Sequence, residues 1–169
     1  MKTIIYCAVT LNGKIAKGQS DPLDWTTKED KKLFAAETKK AGVVVMGHNT
    51  FRSIGHPLKD RLNVVLTSSD KDSENLPGLL EYTSQKPKQI LEILESRGFK
   101  KVFVIGGSVT NTLFLREDLV DEIWLTLAPR IFCPGISLVT DEDLEKKLNL
   151  LSAKKMLEGF IMVKYKIIK

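Results

Sequence analysis

The chain has little of what marks several protein classes. Its 169 residues include two cysteines, Cys7 and Cys133. They lie far apart and match no metal-ligand spacing, so neither a disulfide scaffold nor a metal site is expected, and both read as core thiols of a cytosolic protein. No stretch approaches 18 consecutive apolar residues, so no transmembrane helix is expected, and no membrane partner is expected either. The opening run, Met1 to Val9, is apolar but short. It lacks the length and cleavage site of a signal peptide and reads as a buried strand. The net charge is +5, yet there is no arginine-rich stripe and no aromatic-interleaved basic patch. Lysines such as Lys28, Lys31, Lys39 and Lys40 alternate with acids, as on solvated helix faces. Nucleic acid is therefore not an expected partner, and a small anionic ligand fits the charge as well as a polymer does. Internal repeats, low-complexity segments and linkers are also missing. What remains is an ordinary globular composition, 43% hydrophobic and 28% charged. The length suits one domain spanning 1–169.

Apolar runs alternate with helix-like segments. Ile4 to Val9 reads as a first buried strand, and Asn12-Gly13 as a turn. Ala16 to Asp24 contains Gly18, Ser20, Asp21 and Pro22, the composition of a mobile loop. Thr26 or Thr27 caps a helix running to about Lys40, which Gly42 stops. Val43 to Met46, Asn63 to Thr67, Lys101 to Ile105 and Ile123 to Ala128 read as strands. Helices are expected from Asn49-Thr50, over Lys88 to Arg97 and over Ser108 to Leu115. Phe160 to Ile168 reads as a long last strand with alternating sides. It follows a turn at Glu158-Gly159 and is expected to run antiparallel. The pattern predicts an α/β fold with a mostly parallel central sheet flanked by helices.

Four features carry chemistry. Asp30 sits in the first turn of the first helix, beside an apolar face of Leu33, Phe34 and Thr38. A carboxyl held against apolar walls resists ionisation and can hold or pass a proton near neutral pH. The same position also suits an acid that merely complements the helix dipole. In Val104 to Thr110, a strand ends in Gly106-Gly107 and a helix begins, which exposes backbone N–H groups to a phosphate. A plain tight turn is the alternative. In Met46 to Gly55, another strand meets a glycine and a helix start bearing His48, Asn49 and Thr50. Two such units at one sheet edge suit a ligand with two phosphates. Further on, Pro57 to Ser69 offers Arg61 as a fork for a carboxylate, with Thr67, Ser68 and Ser69 closing a strand.

The segment MGHNTFRSIGHPLKDRLNVVLTSS, Met46 to Ser69, closely resembles the signature of the dihydrofolate reductase family. Trp25 and Asp30 are spaced like that family's loop tryptophan and substrate-pocket acid. Val104 to Gly107 is similar to its Gly-Gly cofactor turn, and Trp124-Leu125-Thr126 to a later strand. The likeness runs in order through nearly the whole chain. It implies NADPH-dependent reduction of 7,8-dihydrofolate to tetrahydrofolate in the cytoplasm, part of one-carbon metabolism, with no metal. Asp30 would bond the pterin ring and help protonate N5, with Thr126 bonded to it. Ala8, Trp25, Phe34 and Ile54 would shape the folate site, and Arg61 would grip the glutamate carboxylate. Ala8, Ile15, Gly106, Gly107, Ser108, Val109 and Thr110 would line the nicotinamide and pyrophosphate. Gly47, His48, Asn49 and Thr50 would meet phosphates, and Thr67 and Ser68 the adenosine side. Ala16 to Leu23 would be the mobile loop that closes over the site.

Two features depart from that pattern. The family often has arginine where His48 stands, and another basic residue near Val109. Their absence leaves NADH possible beside NADPH. A cousin group also fits the chain's ends. Leu11 to Ala16, Leu119 to Thr126 and Pro129 to Phe132 look like the reductase domain of riboflavin biosynthesis, which acts on a ribosylamino-pyrimidine phosphate. Arg61 and Asp30 favour folate, because a ribityl phosphate offers no glutamate carboxylate. Monomer and homodimer are both compatible with the sequence.

Overall fold

The computed structural model describes residues 1–19, 21–68, 74–140 and 143–169. Two residues named above, Ser20 and Ser69, lie outside this range. In chain order the strands are β1 (Lys2–Thr10), β2 (Lys14–Ala16), β3 (Val43–Gly47), β4 (Leu62–Leu66) and β5 (Leu80–Thr83), then β6 (Lys101–Val104), β7 (Glu122–Ala128), β8 (Ile136–Ser137), β9 (Leu148–Lys155) and β10 (Ile161–Ile167). The α-helices are α1 (Lys28–Ala41), α2 (His48–Ile54), α3 (Pro87–Ser96) and α4 (Ser108–Arg116). Eight strands form one sheet in the order β5-β4-β3-β6-β1-β7-β10-β9. From β5 to β7 every neighbouring pair is parallel, and β10 runs antiparallel to both β7 and β9. The α/β architecture and the antiparallel last strand are thus as the sequence predicts.

Successive side chains on a strand point to opposite faces, so the unbroken apolar runs feed two cores. Ile5, Val43, Val45, Val64, Val102 and Val104 pack on one face with Ile90, Leu94 and Phe114 from α3 and α4. Ile4, Tyr6, Val44, Met46, Val65 and Phe103 pack on the other with Trp124 and Met162, under Leu33 and Phe34 of α1. Each such fully buried side chain contributes roughly 1.5–3 kcal/mol. This double-sided burial is why the central strands read as continuous apolar runs.

Four strands were not expected from the sequence. Strands β2 and β8 are two or three residues long and pair only with each other, too short for a periodic signal. Strand β5 (LEYT) is a short edge strand. Strand β9 is exposed along its whole length, so it has no buried face to show. The alternation expected in β10 also breaks. Met162 and Val163 are both buried, on opposite faces, and opposite Lys164 and Tyr165 the partner strand β9 carries one extra residue, Leu151.

Helix α1 has clear local causes. The Thr27 side chain accepts the Asp30 N–H at 3.1 Å, closing the first turn as an N-cap. At the other end Gly42 adopts φ +77°, and its N–H reaches the carbonyls of Thr38 and Lys39, a left-handed cap. Because α1 carries Asp30, its cap also sets where that carboxyl sits. Thr27→Ala should lower stability by about 1 kcal/mol, read as a fall in the urea midpoint with an unchanged slope.

Candidate active site

A cleft of 1510 Å³ opens at the carboxyl ends of the parallel strands, where ligands of such sheets bind. Pockets for single small ligands span roughly 300–1,000 Å³, so this one has room for a dinucleotide and a second molecule. Tyr6, Ala8, Ile15, Asp30, Phe34 and Ile54 line one part. Gly47, His48, Asn49, Thr50, Thr67 and Ser68 line another, with Gly107, Ser108, Val109 and Thr110. The topology explains this convergence. Strands β3, β6 and β1 are neighbours, so the turns that follow β3 and β6 fall side by side.

Those two turns are locked together. The Gly47 N–H donates to the Gly106 carbonyl at 2.8 Å. A Cβ on Gly47 would meet Thr110 Oγ1 at 2.6 Å, so only glycine permits this approach. Gly106 has φ +102°, a conformation that L side chains rarely adopt. It forms the turn but does not line the cleft. Helix α2 spans only seven residues, so its side chains, more than its field, define that side. His48 presents a buried Nδ1 that has no hydrogen-bond partner within the described protein.

At the other end of the cleft, Asp30 is 6% exposed. Burial raises its pKa above the usual carboxylate range, with the Thr126 hydroxyl and the Lys31 charge pulling the other way. Thr126 is fully buried in β7, opposite Ala8 of β1. It therefore lies behind the cleft wall instead of lining it, and its hydroxyl contacts Met162 Sδ at 3.5 Å. Trp25 is also behind the wall. Its ring packs edge-on to Phe132 at 5.6 Å, and its indole N–H donates to Asp21 Oδ2 at 3.2 Å.

Arg61 departs from expectation in its position. It precedes β4, at the end of the sheet opposite the cleft mouth, and lines a separate depression with Asp60, Leu62 and Arg97. Its Nε donates to the Lys59 carbonyl at 2.9 Å, and its Nη1 donates to Thr38 Oγ1.

Sequence reasoning missed two groups. One is Tyr6, hidden because a tyrosine inside an apolar strand looks like core. The other is Asp21, which organises the loop after β2. Burial alone would raise its pKa, but the Lys17 and Leu23 N–H groups, the Trp25 indole and the Lys17 charge hold it below the usual range. The Gln19 carbonyl accepts from Ser53 Oγ at 2.7 Å. This contact places the expected closing loop against α2, at the rim of the cleft. A buried acid tied to an indole and two amides had one sequence signal, the spacing Asp21-x-x-x-Trp25.

The raised pKa of Asp30 carries a stability consequence. A folded-state pKa above the unfolded one means the acid favours folding when protonated and opposes it once ionised. Its stabilising share is complete below the unfolded-state pKa and is lost as pH rises through the raised folded-state value. Asp30→Asn should therefore melt higher than the parent at pH 7. The difference should shrink as the pH is lowered through the raised pKa, in parallel thermal scans.

Among the described residues no helix is long and apolar enough to cross a membrane, and no three metal-ligating side chains cluster. Comparison with known proteins agrees with the geometry. The chain is 26% identical to an uncharacterized protein, YwjB, of Bacillus subtilis, over 90% of this chain and 91% of that one. It is 27% identical to dihydrofolate reductase type 9 of Escherichia coli, over 88% and 78%. A pyrimidine reductase-like protein of Corynebacterium diphtheriae shares the fold, with a TM-score of 0.79 at 19% identity, covering 99% and 92%. The dihydrofolate reductase family profile matches residues 2–131, and with that match over the strands that build the cleft, the chain belongs to the dihydrofolate reductase family.

Proposed function

We propose that this protein reduces 7,8-dihydrofolate to tetrahydrofolate with NADPH, and that Asp30 assists protonation at N5. The observation that carries this reading is the Asp30 carboxyl, buried in the cleft with a raised pKa. The residues of the other half fit a dinucleotide. The start of α4 offers backbone N–H groups, and Thr50, Ser108 and Thr110 offer hydroxyls. Glycines keep the wall open at 47 and 107. His48 borders the same half of the cleft, and its buried Nδ1 has no hydrogen-bond partner within the described protein. Ala8 and Ile15 supply the apolar surface against which a nicotinamide lies flat, and Thr67 and Ser68 border the adenosine end. When bound, the nicotinamide supplies the hydride.

The protein's own contribution is positioning and electrostatics. Phe34 and Ile54 hold the heterocycle by apolar contact. The ionised Asp30 would accept from its amino and ring N–H groups, and burial, which raises its pKa, would favour the passage of a proton by this wall. The loop carrying Gln19 and Asp21 covers the rim and limits water. Arg61, which the family resemblance offers for the glutamate carboxylate of folate, would have to meet that carboxylate from outside the cleft, where Thr38 and the Lys59 carbonyl hold its guanidinium.

The position of Arg61 outside the cleft favours a second reading. The substrate would then be a ribosylamino-pyrimidine phosphate, in keeping with the pyrimidine reductase-like structural neighbour. NADPH oxidation measured spectrophotometrically with each substrate separates the two. Dihydrofolate should support turnover, and consumption with the pyrimidine alone would overturn the folate reading. Asp30→Asn should lower dihydrofolate turnover at pH 7 by about 100-fold or more, the scale of a lost general acid. Arg61→Ala should raise the dihydrofolate KM with kcat little changed, since it would hold a remote group.

A further inference from the structure

Asp21 is 6% exposed and lines the cleft, yet no step of the chemistry above uses its charge. Its carboxyl is a hub for three N–H donors. Oδ2 accepts from the Lys17 N–H at 2.5 Å and from the Trp25 indole at 3.2 Å, and Oδ1 accepts from the Leu23 N–H at 2.8 Å. A carboxylate offers acceptors only and satisfies all three. An asparagine amide would turn its NH2 group toward at least one of them. Burial pushes the Asp21 pKa up, but the three donors and the Lys17 charge prevail and hold it below the usual carboxylate range. The group is therefore charged at neutral pH, the state in which such bonds are strongest.

The hub acts on Leu23, which also lines the cleft. Leu23 has φ +52°, a left-handed conformation that only glycine and, at times, asparagine or aspartate adopt routinely. Both backbone polar groups of Leu23 are engaged. Its N–H donates to Asp21, and its carbonyl accepts from the Thr26 hydroxyl at 3.1 Å. Thr26 lines the cleft too, and the next residue, Thr27, caps the helix that carries Asp30. Trp25, the third partner, is 2% exposed and packs on Phe132. One carboxylate thus joins the end of β2 to the start of α1. It holds the residue between them in a conformation that residue would not choose.

We propose that Asp21 is a positioning residue whose charged carboxylate holds Leu23 in the left-handed conformation and so sets the stretch of cleft wall, Leu23 and Thr26, that leads into the first turn of α1. This rests on the reading above in one respect, that the Asp30 half of the cleft receives the substrate heterocycle. It adds that the fit of the heterocycle depends on a second carboxylate acting through a neighbour. Small displacements of a positioning wall are enough to weaken a well-oriented complex.

The test compares the parent with Asp21→Asn, which keeps the shape and removes the charge. The chain has two tryptophans, so nitrogen-labelled protein gives two indole N–H resonances, and Trp25→Phe assigns them. Trp124, whose indole donates to Glu122 at 2.8 Å, is the internal control. In Asp21→Asn the Trp25 indole proton should exchange with solvent at least about tenfold faster, as a locally opened contact does, with Trp124 unchanged. The Kd for dihydrofolate should rise about tenfold, the scale of a lost hydrogen bond to a charged group, and that for NADPH by less than about threefold. Unchanged dihydrofolate affinity overturns the proposal. So does an equal loss for both ligands, which marks a general packing defect, or an unmoved Trp25 indole. If Asp21→Asn does not fold, Trp25→Phe carries the test, because it deletes one donor and keeps a ring against Phe132. Dihydrofolate should then bind about threefold more weakly with NADPH unchanged, and no change overturns the proposal. A parent that binds the ribosylamino-pyrimidine phosphate instead of dihydrofolate counts against the folate reading alone, and the same comparison is read with that ligand. A parent that binds neither overturns both.

Discussion

The chemistry proposed for this molecule depends on one carboxyl removed from water. Asp30 sits in the third position after a threonine cap, where an acid normally serves the helix dipole in solvent. Here the same turn is pressed against the sheet, and the side chain is buried with Phe34 on one side and Thr126 behind. Desolvation then disfavours the charged form. The local cap and the tertiary burial oppose each other in their effect on the proton, and burial prevails. A fold that placed α1 half a turn differently would leave an ordinary surface acid.

The opposite half of the cleft depends on backbone proximity. Gly47 and Gly106 share a hydrogen bond because β3 and β6 are adjacent and parallel. The turns that follow them therefore end at the same height, and hydroxyls from α2 and α4 converge. No side chain at 47 is compatible with Thr110 at its present distance. The sheet thus fixes this wall of the cleft, and the loop after β2 is attached to it through Ser53 and Gln19. Rigid strands supply the geometry, and a loop pinned by Asp21 supplies cover.

Much of this was legible in the sequence because the physics was local or doubly expressed. The parallel core strands show as unbroken runs of Val and Ile because both faces are buried. Thr27 and Gly42 bracket α1 as cap chemistry requires. The Asp30 spacing, and the two strand-glycine-helix turns, locate the cleft. What stayed hidden depends on tertiary contacts. Strand β9 has no buried face, and β2 and β8 exist only through each other. Met162 and Val163 are both buried because β10 is covered on both faces at that point. Arg61 looked like a cleft residue from its motif, but it precedes a strand whose other end feeds the cleft. Tyr6 reads as core until its place on the cleft wall is seen.

The most direct measurement is the titration of the Asp30 carboxyl itself, followed by carbon NMR of the labelled side chain with Asp30→Asn identifying the resonance. The account predicts a midpoint clearly above the ordinary aspartate value of about 3.9. A midpoint at or below that value would mean a solvated or ion-paired acid, and would contradict the role given to the buried carboxyl.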